Sequence, residues 1–293
     1  MDPDDHHKPS QGVKVMTGRQ KLKIYIPGLK FPSVSVTGSA CALNCAHCGR
    51  HYLGGMLKPE RGDLLNHCLN LAREGYLGCL LSGGMDGRLK VPLDFHAEEI
   101  KEIKRRTNLK LNAHVGFIDE SDLDWIGYVD AVSLDFVGDD DVIKRVYKID
   151  KTVKDYLRVM DILTGAGVRV APHITVGLDF GRIGWEYRAI DLLLEYPIDV
   201  LVLDVLIPTR GTEMENVPRP SVAESLKVVE YARERFDGEL SIGCMRPMGR
   251  WRLEFDRGAV LAGVDRLTNP PKKIIEWART VRDIEIIYEC CVM

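Results

Sequence analysis

An alternation of strand and helix signals runs through most of this 293-residue chain and limits its architecture more than any other feature. Short β-prone runs fall at 33–38, 79–84, 110–116, 131–138, 170–177, 200–208, 240–245 and 264–269, with a last one at 284–290. Most end in Gly, Pro or Asn. Helix-period segments at 64–74, 97–106, 153–166, 185–194 and 222–236 separate them, which makes repeated βα units and a parallel sheet. Eight such strands fit an α/β fold of the (β/α) barrel type, complete or partly open, and an open doubly wound sheet is the alternative. Residues 1–30 read as an N-terminal tail and extension, and 31–293 as one barrel domain that includes a C-terminal tail.

Successive side chains of a strand point to opposite faces, so each strand can be split into two sets. Leu111, Ala113 and Val115 oppose Asn112, His114 and Gly116. Val132, Leu134 and Phe136 oppose Ser133 and Asp135, and Pro172, Ile174 and Val176 oppose His173, Thr175 and Gly177. A barrel filled only for stability carries Val, Ile and Leu inside. A face bearing Asn112, His114, Ser133, Asp135, His173 and Thr175 predicts a solvated or cofactor-filled lumen, the alternative being polar groups that satisfy one another in a core.

Composition narrows the function classes. With 45% hydrophobic residues, 28% charged residues and a net charge of −3, the chain is of ordinary globular type and offers no basic excess for nucleic acid. Its longest strongly apolar run, 198–208, is broken by Asp199 and Asp204 and is too short for a membrane span. Residues 1–12 lack the apolar stretch of a secretion signal, and His6-His7 among them read as part of a solvated tail. Eight cysteines without an export signal point to a reducing, cytoplasmic compartment where thiols stay free for chemistry or metal.

Three of those cysteines crowd together in Cys41-Ala-Leu-Asn-Cys45-Ala-His-Cys48, just after the 33–38 run and at the catalytic face of a barrel. Three thiolates at this spacing can ligate three irons of a [4Fe–4S] cube and leave the fourth iron open for a substrate or cofactor. The alternative is a zinc site formed by Cys45, Cys48, Cys41 and either His47 or His51. A structural zinc site normally wants two separated ligand pairs, and no second pair follows until Cys290-Cys291.

A CxxxCxxC loop after the first strand of a βα barrel resembles the radical S-adenosylmethionine superfamily. The resemblance implies that Cys41, Cys45 and Cys48 hold a [4Fe–4S] cluster whose open iron takes the amino and carboxylate groups of S-adenosylmethionine. It also implies reductive cleavage to methionine and a 5′-deoxyadenosyl radical that abstracts hydrogen from an unactivated carbon. His47 stands where the family has an aromatic residue and would serve the adenine. Ser82-Gly83-Gly84 resembles the family's glycine motif, with Met85 where Glu is frequent. Ser133, Asp135, His173 and Gly177 sit where the family contacts ribose, carboxylate and adenine. Lys144, Arg145, Lys148 and Arg158 are candidate partners for the cofactor carboxylate, or a solvated helix face.

From residue 31 onward the chain is similar to the biotin-synthase-related branch, and within it to the archaeal-type split lipoyl synthases. Val34-Ser-Val-Thr-Gly-Ser-Ala-Cys41, Pro172-His-Ile-Thr-Val-Gly177, Pro208-Thr-Arg-Gly-Thr212, Gly243-Cys-Met-Arg-Pro247 and Tyr288-Glu-Cys-Cys291 carry the likeness. It implies sulfur insertion into an octanoyl chain on a lipoyl-carrier protein, a second radical protein as partner, and an electron donor protein. The inserted sulfur would come from a second [4Fe–4S] cluster. Cys68 and Cys79 read as core packing, which leaves Cys244, Cys290 and Cys291 as its ligands if the C-terminal tail folds over the barrel mouth. Alternation places Cys244 on the helix-facing side unless Gly243 introduces a bulge. The terminal pair could instead be redox-sensitive thiols. Rival readings are a single-cluster methylase, mutase or maturation factor, a biotin-synthase-type sulfurtransferase, and a non-catalytic zinc-binding barrel. The run Asp139-Asp140-Asp141 reads as a helix cap.

Overall fold

The structure, a computed structural model, describes residues 21–60 and 63–293. The segment holding His6 and His7 lies outside them. The strands are β1 (Leu22–Tyr25), β2 (Ser33–Ser35), β3 (Gly78–Ser82), β4 (Lys110–His114), β5 (Ala131–Asp135), β6 (Val170–Val176), β7 (Val200–Val205), β8 (Glu239–Ile242), β9 (Arg266–Thr268) and β10 (Ile284–Ile287). They form one sheet in the order β10-β1-β9-β8-β7-β6-β5-β4-β3-β2, and each pairing is parallel. From β2 to β9 the order never reverses, so there is no switch point of the doubly wound kind. The sheet curls into a half-barrel with helices on its convex side. This is the partly open form of the expected (β/α) barrel.

The alternation within strands produces this shape directly. Leu111, Ala113, Val132, Leu134, Ile174, Leu201, Leu203, Leu240 and Ile242 are buried beneath the helices, while the other set faces the lumen. Register keeps the lumen set aligned, with His114 beside Ser133, Asp135 beside His173, and Thr175 beside Asp204. The covering helices carry their own start signals. Val153–Gly165 begins with a capping box in which Thr152 and Asp155 satisfy each other's backbone N–H. The Asp139 carboxylate accepts from the Val142 N–H at 3.0 Å, as a cap does. Cys68 and Cys79 are fully buried, in the same apolar core.

Two features depart from the sequence reading. The segment expected as an N-terminal extension contributes β1, which is inserted between β9 and β10. The C-terminal tail does not cross the barrel mouth. Lys110, the first residue of β4, pairs with Glu289 at 2.7 Å. Arg266, the first residue of β9, donates to the main-chain oxygens of Cys291 at 2.6 Å and Met293 at 3.0 Å. Cys291 and Val292 pack on Ala131, Ala171, Val200 and Val202. The tail therefore closes the floor at the N-terminal ends of the strands, because its anchoring partners are strand-starting cations. Among the described residues no helix is long and apolar enough to cross a membrane.

Candidate cofactor site

The loop carrying Cys41, Cys45 and Cys48 follows β2 and is tied to its neighbours by backbone hydrogen bonds. Ala42 N–H reaches Met85 O at 2.7 Å, and Ala46 N–H reaches Val146 O at 2.8 Å. Thr37 Oγ1 donates to Ala40 O at 2.9 Å and accepts from Gly84 N–H at 2.7 Å. The two glycines have a steric reason to be there. A Cβ on Gly84 would lie 2.1 Å from Ala40 O and 2.5 Å from Cys41 Cβ, and one on Gly83 would lie 2.9 Å from Thr37 Oγ1. Only residues without a side chain let the end of β3 support the cysteine loop this closely.

All three loop thiols are half-buried. Burial pushes the Cys45 thiol up to about 12, and the neighbouring Cys48 and Cys41 thiols add to the shift. Burial also raises Cys48. Cys45 and Cys48 therefore favour the thiol form unless a cation compensates, which is the environment a metal centre supplies. Among the described residues no three His, Cys, Asp or Glu side chains converge on a single ion. A multi-iron cluster accommodates wider spacing, because each thiolate binds a different iron.

His47 packs edge-on against Tyr147, with centroids 5.4 Å apart. Its Nδ1 is buried without a hydrogen-bond partner, and burial lowers the imidazole to about 4 against the pull of Asp135. A neutral imidazole with an orphaned nitrogen beside Cys48 fits a site that receives a further group. The residues around the loop therefore suit an iron–sulfur cluster with a bound ligand.

Next to the loop, a small cleft opens at the C-terminal ends of β3, β4 and β5, lined by Ser82, Gly83, Met85, His114, Ser133, Asp135, Tyr147 and Tyr156, among others. Ser133 and Asn112 exchange hydrogen bonds at 2.9 and 3.1 Å, so these two satisfy each other, while Asp135 stays exposed at the rim. Gly177 is placed differently from the sequence expectation. It has φ +77°, a Cβ there would strike Pro220 at 2.1 Å, and its N–H donates to the Glu186 carboxylate at 2.7 Å. It shapes the turn after β6 and does not line the cleft. Of the four candidate cations, Arg145 pairs with Asp179 at 3.0 Å, Lys148 with Glu213, and Arg158 with Glu120 at 3.5 Å. Lys144 is exposed.

Deeper in the lumen, Cys290 and Cys291 pack on the floor beside Ala131, Ala171, Val200 and Val202. Cys290 Sγ accepts from Asn112 Nδ2 at 3.4 Å. Its thiol is pulled below the ordinary value by the Cys291 thiol, against burial, with further help from Val292 N–H and Asn112. His173 lies against Cys291. Burial disfavours its charge, yet the Cys291 contact and the carboxylates of Asp204 and Asp135 raise it to about 9. Cys244 follows the turn after β8 and is solvent-exposed, and the surrounding protein followed by Asp204 and Cys291 pushes its thiol up to about 12. The strand alternation that would put Cys244 toward the helices is interrupted at Gly243, the exception the sequence left open, where a Cβ would lie 2.3 Å from Asp204 Oδ1. The chain turns there, and Met245 N–H donates to Asp204 at 2.8 Å.

Sequence reading missed Tyr147, Tyr156, Glu186 and Asp204. The first two look like ordinary apolar helix positions. Asp204 had a visible signal, as a lone carboxylate in the otherwise apolar Val-Leu-Val-Leu-Asp-Val strand.

A model of the radical SAM superfamily matches residues 35–182, just over half of the chain. No curated protein matches the sequence. Among solved structures, methylornithine synthase (PylB) superimposes with a TM-score of 0.63 at 15% identity, over 86% of this chain and 73% of that one. Streptococcus suis SuiB bound to S-adenosylmethionine has a TM-score of 0.54 at 14% identity, over 80% and 52%. The structure of anSMEcpe with bound AdoMet and Cp18Cys peptide has 0.52 at 15%, over 84% and 63%. The chain thus spans less than two thirds of the last two, and at these identities the likeness is one of fold. The matched segment runs from the strand before the cysteine loop through β6, so that the loop, the glycines and the cleft all fall inside it, and the chain belongs to the radical SAM superfamily.

Proposed function

We propose that this protein is a sulfur-inserting radical SAM enzyme of the lipoyl synthase type, in the biotin-synthase-related branch, and one component of a two-protein system. Its substrate is an octanoyl chain on a lipoyl-carrier protein, its partner a second radical protein, and an electron donor protein supplies the reducing electron. Cys41, Cys45 and Cys48 hold the [4Fe–4S] cluster, and S-adenosylmethionine occupies the adjoining cleft. Cys244, Cys290 and Cys291 belong to a second [4Fe–4S] cluster. What supports the sulfur-inserting reading is that Cys290 lies 3.4 Å from Asn112 Nδ2 on the lumen face of β4, Cys291 packs beside it on Ala171 and Val202, and Cys244 follows the turn at Gly243 beside Asp204.

Bound together, the first cluster and S-adenosylmethionine supply a 5′-deoxyadenosyl radical able to take hydrogen from an unactivated carbon. The protein's own residues place and shield that chemistry. His47 and Tyr147 would wall the adenine, and the exposed Asp135 carboxylate would accept from ribose hydroxyls, with Ser133 beside it. Gly84 has its N–H engaged by Thr37, so Gly83 and Gly84 act by allowing close backbone approach. Gly177 holds the β6 turn and His173 the deep lumen. Phe117 and Tyr156, 4.8 Å apart, keep water from the inner wall of the cleft.

The test is iron and acid-labile sulfide in anaerobically reconstituted protein lacking Cys41, Cys45 and Cys48. Retention of about four irons and four sulfides per chain supports sulfur insertion. Loss of all iron reduces the protein to a single-cluster radical enzyme. A milder variant probes the support of the loop. Gly84→Ala is expected to keep the fold by circular dichroism and to lose most iron loading at the first site, because its Cβ meets backbone that cannot yield.

A further inference from the structure

Two arginines are buried beside the turn after β8, and only one of them has a carboxylate. Arg246 takes both oxygens of Asp256, at 2.6 and 2.9 Å. Arg252 stands four residues before Asp256 on the helix Arg250–Leu261 and is only 6% exposed. Among the described residues no carboxylate pairs with it. Its guanidinium donates to Cys244 O at 3.2 Å and to Met248 Sδ at 2.7 Å, and its Nε is buried without a partner. A thioether is a weak acceptor, so most of these donors are poorly met. Burying a cation without a counter-charge is costly, and an arriving anion relieves that cost.

The start of the same helix is open in a second way. Gly249 occupies the cap position, no side chain caps the helix, and its first turn holds no acidic residue. The N–H groups of Trp251 and Arg252 have no hydrogen-bond partner among the described residues. Cys244 and Met248 precede the helix, so the Arg252 side chain folds back toward these free N–H groups. A helix N-terminus favours negative charge, and here a cation stands in the first turn instead. Arg250 takes no part, since its side chain is exposed and pairs with Glu254 at 2.5 Å. Met248 is exposed and can swing aside. Because the sheet is parallel, the turn after β8 lies at the same end of the half-barrel as the cysteine loop after β2.

We propose that the turn 243–249 and the start of the helix Arg250–Leu261 bind an oxyanion group of the substrate, carboxylate or phosphate. Arg252 is the anchoring cation, and the Trp251 and Arg252 N–H groups are further donors. For a carrier-protein substrate the group is a side-chain carboxylate. Met248 yields its place on Arg252 to a charge-assisted hydrogen bond, and no covalent or redox step is involved. The site holds whichever bond the radical goes on to make, so it does not rest on sulfur insertion.

The experiment titrates uniformly ¹⁵N-labelled, oxidised holoenzyme with inorganic phosphate and, separately, with acetate, at an ionic strength held constant with sodium chloride. Nuclear magnetic resonance follows the Arg252 Nε–H signal and the Trp251 and Arg252 amides. These signals are expected to move together and to saturate with at least one of the two anions. Arg252→Lys removes the Nε–H signal and weakens the amide response roughly ten-fold, the worth of one hydrogen bond to a charged group. Met248→Leu moves the same Nε–H signal in the free protein, which assigns it without altering Arg252, and binds the anion no more weakly. Arg250→Gln leaves the titration unchanged. Signals that stay in place with both anions, or that move as far with added chloride alone, overturn the site. Unchanged affinity in a folded Arg252→Lys variant overturns it as well. Neither result bears on the second cluster, which is read from iron and sulfide.

Discussion

Replacing Cys41, Cys45 and Cys48 together by alanine is expected to abolish 5′-deoxyadenosine formation from S-adenosylmethionine, while the fold survives. The rate falls by roughly a thousand-fold or more, the order of loss when residues acting as one unit are removed. Each single replacement should come close to the triple one, because a cube that loses one thiolate loses its hold on an iron. The thiols are only half-buried and sit on a loop anchored by backbone bonds and by Thr37, so their removal leaves the packing of β2 and β3 intact. Product is measured by chromatography after anaerobic incubation with a chemical reductant, and fold by circular dichroism. Turnover that survives in the triple variant would refute the assignment of the first cluster to this loop.

The largest effect on stability is expected at Arg246. Its guanidinium is fully buried, as is its partner Asp256, and the two join through paired hydrogen bonds of 2.6 and 2.9 Å. A third bond of 2.5 Å reaches Gly243 O and holds the turn that leads to Cys244. Arg246→Met leaves the Asp256 carboxylate buried and unpaired, at a cost of about 3–5 kcal/mol. The melting temperature should drop by roughly 10 °C. Adding Asp256→Leu removes the stranded charge and should recover most of that loss. Calorimetry of the wild type and both variants distinguishes this from simple cavity formation, in which the double variant would be the less stable. Iron uptake at the second site should stay low in both variants, since neither restores the bond to Gly243.

Gly84→Ala differs from these two in reporting how the cysteine loop is seated, and is not expected to alter global stability as strongly as Arg246→Met, because Gly84 meets the cysteine loop at the rim.

The order of βα units, the polar face of β4, β5 and β6, and the cysteine loop were all legible from the chain. Each is a local pattern. A period of two separates the faces of a strand whatever it later pairs with, and Cys41, Cys45 and Cys48 lie within eight residues, so their meeting needs no distant part of the fold. The Asp139 cap and the packing of Cys68 and Cys79 were readable on the same basis. What escaped was non-local. The four-residue β1 gave no sign that it would enter the sheet between β9 and β10. Glu186 reaches Gly177 from nine residues away, across a turn. Tyr147 and Tyr156 look like any apolar helix residue until the curl of the sheet brings them over the cleft.

The tail shows the division most sharply. Sequence alone established that two adjacent cysteines, Cys290 and Cys291, stand near the C-terminal end of the sequence and that Cys244 was available to join them. It could not establish from which end of the barrel they would come. That was decided by Lys110 and Arg266, cations at the starts of β4 and β9 that bind Glu289 and the main-chain oxygens of Cys291 and Met293, and by an apolar floor of Ala131, Ala171, Val200 and Val202. The direction of Cys244 was decided likewise by Gly243, which makes room for Asp204 from the neighbouring strand. Local spacing sets which groups a segment offers. Pairing between strands far apart in the chain sets which of those groups share a space, because only the curl of the sheet turns the lumen faces of distant strands toward one another.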